Sequence, residues 1–115
     1  MTNMGETIRL PDDRTLEFKA RLFKVIGDSN RLKILEVLRQ GEICQCEIIP
    51  LIGQSQPTVS RHLRLLEDAG LISSYKESTR TIYSVVDMHI FSLIDSIDTN
   101  VMKLVSNEIV KKYPV

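Results

Sequence analysis

The chain contains no tryptophan, only 5% aromatic residues and just two cysteines. Scarce aromatics argue against a platform on which single-stranded bases would stack. No apolar run approaches the roughly 18 residues that a membrane span needs. Residues 1–10 lack the apolar core of an export signal, so the expected compartment is the cytoplasm, with no membrane partner. Two cysteines without such a signal point to reactive or metal-binding thiols in a reducing compartment. Neither charge sign is in excess, since 15 basic residues balance 15 acidic ones. That balance excludes a polybasic tail and requires any nucleic-acid site to be a local arrangement of charge. The sequence carries no internal repeat and no low-complexity segment.

What remains is the composition of one globular domain: 115 residues, 43% hydrophobic and 26% charged. Residues 1–14 hold no sustained period and read as a flexible arm, leaving 15–115 as the domain. From Thr15, apolar residues recur at helical spacing through Leu16, Ala20, Phe23 and Ile26, and Gly27 closes the segment. Asp28 and Ser29 can cap a second helix with Ile34, Leu35 and Leu38 inward, ended by Gly41. Residues 43–52 form a short third element containing Pro50, which removes a helical hydrogen bond, so that helix must be short, kinked or started late. Ser55 caps a fourth helix, in which Pro57 is tolerated in the first turn and Val59, Leu63 and Leu66 face inward up to Gly70. Residues 71–76 and 81–86 read as two strands around a polar tip at 77–80. A last helix is expected over 88–111, with an apolar stripe from Ile90 to Val105. The predicted class is mainly α (α+β): a winged helix-turn-helix of four helices, a β-hairpin wing and a C-terminal helix.

The helix after Gly53 carries the side chains that this order would use on DNA. Gln54, Ser55, Gln56, Thr58, Ser60, Arg61, His62 and Arg64 lie at or on it. Ser, Thr and Gln are short donors and acceptors suited to base edges, and Arg takes guanine bidentately or clamps phosphate. Lys76 and Arg80 flank the hairpin tip, where a wing meets the backbone or the minor groove.

Three segments in order are similar to the ArsR/SmtB family of winged-helix repressors. They are Ile26-Gly-Asp-Ser-Asn-Arg-Leu-Lys-Ile-Leu, then Gly-Glu-Ile-Cys-Gln-Cys-Glu-Ile from Gly41, then Gln54-Ser-Gln-Pro-Thr-Val-Ser-Arg-His-Leu. Leu65-Leu-Glu-Asp-Ala-Gly-Leu-Ile continues the likeness. The resemblance implies a homodimer on a palindromic, double-stranded operator, released when an inducer binds, with dimerisation helices at 15–26 and 88–111. Two recognition helices would then enter successive major grooves roughly 34–36 Å apart.

The resemblance also implies a place for the inducer, at Cys44 and Cys46. A helix N-terminus favours thiolate, the species that binds soft metals and reacts with oxidants. Residues two apart in a helix point to nearly opposite sides, so joint chelation requires Cys44 in extended backbone or an unwound first turn. Arsenite-responsive relatives often carry a third cysteine where this chain has Ile49. The inducer is therefore open among arsenite or a related trivalent ion, a soft divalent ion, and oxidation; no cofactor is obligatory. A second, zinc-type family site is half matched by Asp87 and His89, but Asn100 and Lys103 stand where its other ligands belong. A lysine ammonium does not ligate. Two other classes remain for the chain: a winged-helix adaptor that binds protein, and a thiol–disulfide enzyme using Cys-x-Cys.

Overall fold

Asp12 accepts a 2.7 Å hydrogen bond from the amide of Thr15 and so starts the first long helix two residues before the expected Thr15. The computed structural model describes residues 4–113. A single helical turn, α1 (Met4–Thr7), precedes that helix, α2 (Asp13–Ile26). Residues 1–3 of the expected arm lie outside the described residues. Asp28 caps α3 (Ser29–Arg39) through the amides of Asn30 and Arg31. There follow a two-residue strand β1 (Ile43–Cys44), the short helix α4 (Gln45–Ile52) and the helix α5 (Gln56–Asp68).

The ends of α4 and α5 follow from their residues. Pro50 lacks the amide that would bond the carbonyl of Cys46, and α4 is correspondingly only eight residues long. Gly53 then takes a φ of 77°, a conformation that a side chain disfavours. Ser55 caps α5 through the amide of Thr58. At its far end Leu71 N donates to Leu66 O and Gly70 N to Glu67 O, the paired bonds of a glycine-terminated helix.

The strands β2 (Ile72–Glu77) and β3 (Arg80–Val85) pair antiparallel, joined by Ser78 and Thr79. Ser78 has a φ of 61°, so the tip that lacks glycine still makes a tight two-residue turn. Sequence periodicity gave no sign of β1, because two residues carry no alternation. It adds to the hairpin as Ile43 opposite Tyr83 and Cys44 opposite Ile82, giving the sheet order β1-β3-β2.

The core lies between α3, α4, α5 and the sheet. Ile34, Leu35, Leu38, Ile48, Ile52, Val59, Leu63, Leu66 and Ile72 are all fully buried. Burying one such side chain stabilises the fold by about 1.5–3 kcal/mol.

The helix expected over 88–111 is broken into α6 (Ile90–Asp95) and α7 (Thr99–Lys112). Local polar bonds compete with the helical ladder at the break. Ser96 Oγ donates to Ser92 O at 2.7 Å, and Asp98 accepts from the Val101 amide at 2.9 Å, capping α7. The two pieces have different roles. Phe91 of α6 is buried, and Arg39 stacks 4.1 Å over its ring while bonding both Asp95 oxygens at 2.8 Å. The α6 helix therefore belongs to the protomer core, whereas α7 has no buried residue. The radius of gyration is 18.6 Å, against about 13 Å for a compact chain of this length.

Candidate nucleic-acid interface and thiol pair

The exposed face of α5 carries most of the expected DNA-reading residues. Ser55, at its N-cap, also donates from Oγ to Thr58 Oγ1 at 2.9 Å. Gln54, Gln56, Arg61 and Arg64 are exposed, while Thr58 and Ser60 are half-buried. Gln56, Ser60 and Arg64 follow one another at four-residue steps, which places them on one ridge of the helix. Among the described residues, Arg61 and Arg64 make no hydrogen bond or ion pair, so their guanidinium groups face solvent. At the start of α5 the Gln56 amide is left for a phosphate, since Pro57 has no N–H and the Thr58 amide bonds Ser55 Oγ.

His62 is a correction to the expected set. It is 6% exposed and points into the protein, where Arg31 Nη1 lies 3.1 Å from its Nδ1. Helical phase accounts for this: His62 is three residues beyond buried Val59 and adjacent to Leu63, on the inner stripe. Arg31 also donates from Nε to the carbonyl of Val25, and its backbone amide bonds Asp28. That amide bond holds the Asp28 carboxyl below its usual range. The network joins α2, α3 and α5 behind the face that carries Arg61.

At the wing, Lys76 donates to Thr81 Oγ1 across the hairpin at 2.9 Å. Arg80 reaches back 3.5 Å to Glu47 of α4. The hairpin tip and the third element are thus tied together by an exposed ion pair, which in water contributes little stability.

Cys44 is in extended backbone, with φ −69° and ψ 142°, and serves as N-cap of α4, its Sγ accepting from the Cys46 amide at 3.1 Å. This is the arrangement that joint action by both sulfurs requires, because Cys46 is then the second residue of the helix rather than a position opposite Cys44. The two Sγ atoms lie within bonding distance of each other, with Cα atoms 5.1 Å apart. Cys44 is buried and Cys46 is exposed. The pair borders a groove of about 460 Å³ whose other walls include Gln56 from α5 and Thr79, Arg80 and Thr81 from the wing.

Among the described residues, every residue from Glu42 to Glu47 except Cys46 touches α5 or the β2–β3 hairpin by a backbone or side-chain bond. Glu42 accepts from the Tyr75 hydroxyl at 2.8 Å, which raises the pKa of that phenol. Ile43 and Cys44 pair with β3. Gln45 Nε2 donates to Ser60 Oγ at 2.8 Å, and Glu47 holds Arg80. Sequence reasoning missed Gln45, Glu47 and Arg31 as partners of the site. Only the position of Gln45 between the two cysteines marked it, and spacing cannot reveal a contact fifteen residues away.

Asp87 and His89 pair with each other. Asp87 Oδ1 lies 2.7 Å from His89 Nδ1 and accepts from the His89 amide at 2.8 Å. Asp87 forms a local turn before α6, and both side chains are exposed. Among the described residues no cluster of three His, Cys, Asp or Glu side chains is placed to hold a metal ion, here or elsewhere. No described helix is long and apolar enough to cross a membrane.

Comparison with known proteins agrees with this geometry. Residues 28–74 match the family described as "Bacterial regulatory protein, arsR family". An uncharacterized HTH-type transcriptional regulator of Methanocaldococcus jannaschii is 40% identical over 83 residues, covering 71% of this chain and 93% of that protein. A cadmium resistance transcriptional regulatory protein CadC homolog of Staphylococcus aureus is 39% identical over 77 residues, 66% of this chain and 64% of its own length. The arsenical resistance operon repressor of Escherichia coli is 43% identical over 58 residues, half of each chain. The chain thus aligns with less than two thirds of the length of these two resistance regulators. Among solved structures, the homodimeric winged helix-turn-helix DNA-binding domain of a possible ArsR-family regulator from Mycobacterium bovis superposes with a TM-score of 0.65 at 26% identity. That match covers 94% of this chain and 98% of the other. The fold is a winged helix-turn-helix, its relatives are transcriptional regulators and not enzymes, and the chain belongs to the arsR family of regulatory proteins.

Proposed function

We propose that the protein is a repressor that binds a palindromic operator as a homodimer and is released when a thiol-binding metalloid or soft metal ion engages Cys44 and Cys46. The carrying observation is the seating of the thiol pair between the two DNA-facing elements. Residues 42–47 bond to the wing on one side, through Glu42, β1 and Glu47, and to α5 on the other, through Gln45. Any ligand that rearranges this segment acts on both elements at once, and Pro50, by removing a bond to the Cys46 carbonyl, makes the rearrangement easier.

Gln54, Ser55, Gln56, Thr58, Ser60, Arg61 and Arg64 are the proposed DNA contacts on α5, with Lys76 and Arg80 on the wing. His62 is a support behind them. The dimer is proposed to use α2 and α7. Leu104, Val105, Ile109 and Val110 on α7 and Phe18 and Phe23 on α2 are each more than half exposed, an apolar surface that a lone protomer leaves in water. The related Mycobacterium bovis domain is described as homodimeric. Release then requires only that the inducer bind one dimer shape more tightly than the other. The names of the cadmium and arsenical resistance relatives support a soft ion as inducer.

A second reading, oxidation of the same thiols, is favoured by the 5.1 Å separation of the Cys44 and Cys46 Cα atoms, which lies in the range a disulfide spans. A hydroperoxide would take two electrons and two protons from the pair. Its O–O bond would break to water and an alcohol as the S–S bond forms. Fluorescence anisotropy with duplex DNA from upstream of the gene tests both readings at fixed salt. Arsenite or cadmium should weaken binding by tenfold or more under reducing conditions. Release by peroxide alone, reversed by a reductant, would select the redox reading, and failure to bind any duplex would overturn the repressor itself.

A further inference from the structure

Gln45 stands between the two cysteines, and among the described residues its side chain makes the hydrogen bond that joins this segment to α5. Its Nε2 donates to Ser60 Oγ at 2.8 Å, on the ridge shared with Gln56 and Arg64. The two sulfurs lie together in this arrangement. Joining them, through an ion or a bond, closes a small ring that contains the whole backbone of Gln45. The backbone angles open to Gln45 are then narrowed, and with them the direction of the Cα–Cβ bond that carries its side chain. With the sulfurs apart, the ring is open and the amide is free to turn away. Ser60 has one hydroxyl proton and two lone pairs; accepting from Gln45 uses one lone pair and turns the hydroxyl toward a partner inside the protein.

We infer that Gln45 is the positioning residue of the switch: closing the Cys44–Cys46 pair aims its amide at Ser60 and withdraws that hydroxyl and its ridge of α5 from DNA. The inference rests on the thiol-switch reading above and specifies how that site reaches the operator. The coupling is a difference in free energy between two geometries of one side chain, so removing the amide should shrink the coupling without removing either binding event. The wing ties made by Glu42 and Glu47 are exposed and do not reach α5.

The test uses phenylarsine oxide, whose arsenic offers two exchangeable bonds for two thiols. Two As–S bonds form, the oxygen leaves as water with both thiol protons, and arsenic stays trivalent. Operator affinity is measured with and without the arsenical for the wild-type protein, Gln45→Ala and Gln45→Glu, with one arsenical bound per chain confirmed by thiol titration. The expected loss on arsenical binding is at least tenfold for the wild type and under threefold for Gln45→Ala. Gln45→Glu loses the donor, but its carboxylate accepts from the Ser60 hydroxyl in the reverse direction and should restore a loss of at least tenfold. A full loss in Gln45→Ala with the arsenical bound overturns the inference alone. So does a Gln45→Ala protein that binds the operator more than tenfold more weakly before any arsenical is added, because Gln45 would then be a plain support of the helix. A wild-type protein that binds the arsenical and keeps its DNA overturns the thiol-switch reading and this inference together.

Discussion

Arg31 Nη1 lies 3.1 Å from His62 Nδ1, and because a guanidinium only donates, His62 must accept there and carry its ring proton on Nε2. A residue of α5 is thereby anchored to α3, one layer behind the surface proposed to meet DNA.

Two substitutions one residue apart should therefore separate stability from DNA binding. His62→Ala leaves Nη1 of the half-buried Arg31 without its partner and should lower unfolding free energy by about 1–3 kcal/mol. Operator affinity of the folded protein should change by less than threefold. Arg61→Ala should do the reverse. It should cost about 1–3 kcal/mol of operator binding if the guanidinium reads a base, with stability within about 0.5 kcal/mol of the parent. Urea unfolding and anisotropy on the same two variants check both halves.

Asp28 makes a pH-dependent contribution of known sign. The Arg31 amide, then the Arg31 charge and the Asn30 amide, lower its carboxyl pKa in the folded protein. A depressed folded value means the stabilisation is present above the unfolded pKa and is lost as pH falls through the folded one. Asp28→Ala should cost about 1 kcal/mol at pH 7 as a lost helix cap. The gap between the variant and its parent should narrow progressively below about pH 4 in acid titrations of stability.

The apolar face of α7 supplies a test of assembly that leaves the protomer core intact. Leu104 is 59% exposed, and α7 has no buried residue, so Leu104→Glu leaves the protomer core untouched. It should weaken the dimer by at least tenfold, as expected when a Leu worth about 1.5–3 kcal/mol is replaced by a charge. Sedimentation velocity should show the monomer at concentrations where the parent is dimeric, with unchanged far-ultraviolet circular dichroism. An unchanged dimer would place the interface elsewhere.

Much of the fold was legible because its boundaries are set by short-range chemistry. Asp28 and Ser55 cap their helices as their side chains dictate, and Gly53 and Gly70 take the positive φ that stops a helix. The inward stripe of α5 followed from period alone. His62 joins the candidate contacts by residue type alone, whereas helical phase puts it beside Leu63, where Arg31 lies against its ring. The last helix was read as continuous because the apolar stripe runs through Ile97. The competing side-chain bonds of Ser96 and Asp98 broke it there. Strand β1 and the Gln45–Ser60 bond depend on partners far along the chain, which a single sequence does not reveal.

The most direct test of the central claim compares operator release by the wild-type protein and by a Cys44→Ser/Cys46→Ser double variant, titrated with arsenite, cadmium and peroxide at one salt concentration. Serine retains the cap position and the size of each residue but has no thiolate, so the double variant should bind the operator within threefold of its parent. The account predicts at least tenfold release of the wild type by one of these agents and no release of the variant. Equal release of both proteins, or of neither, would show that the two cysteines do not control DNA binding.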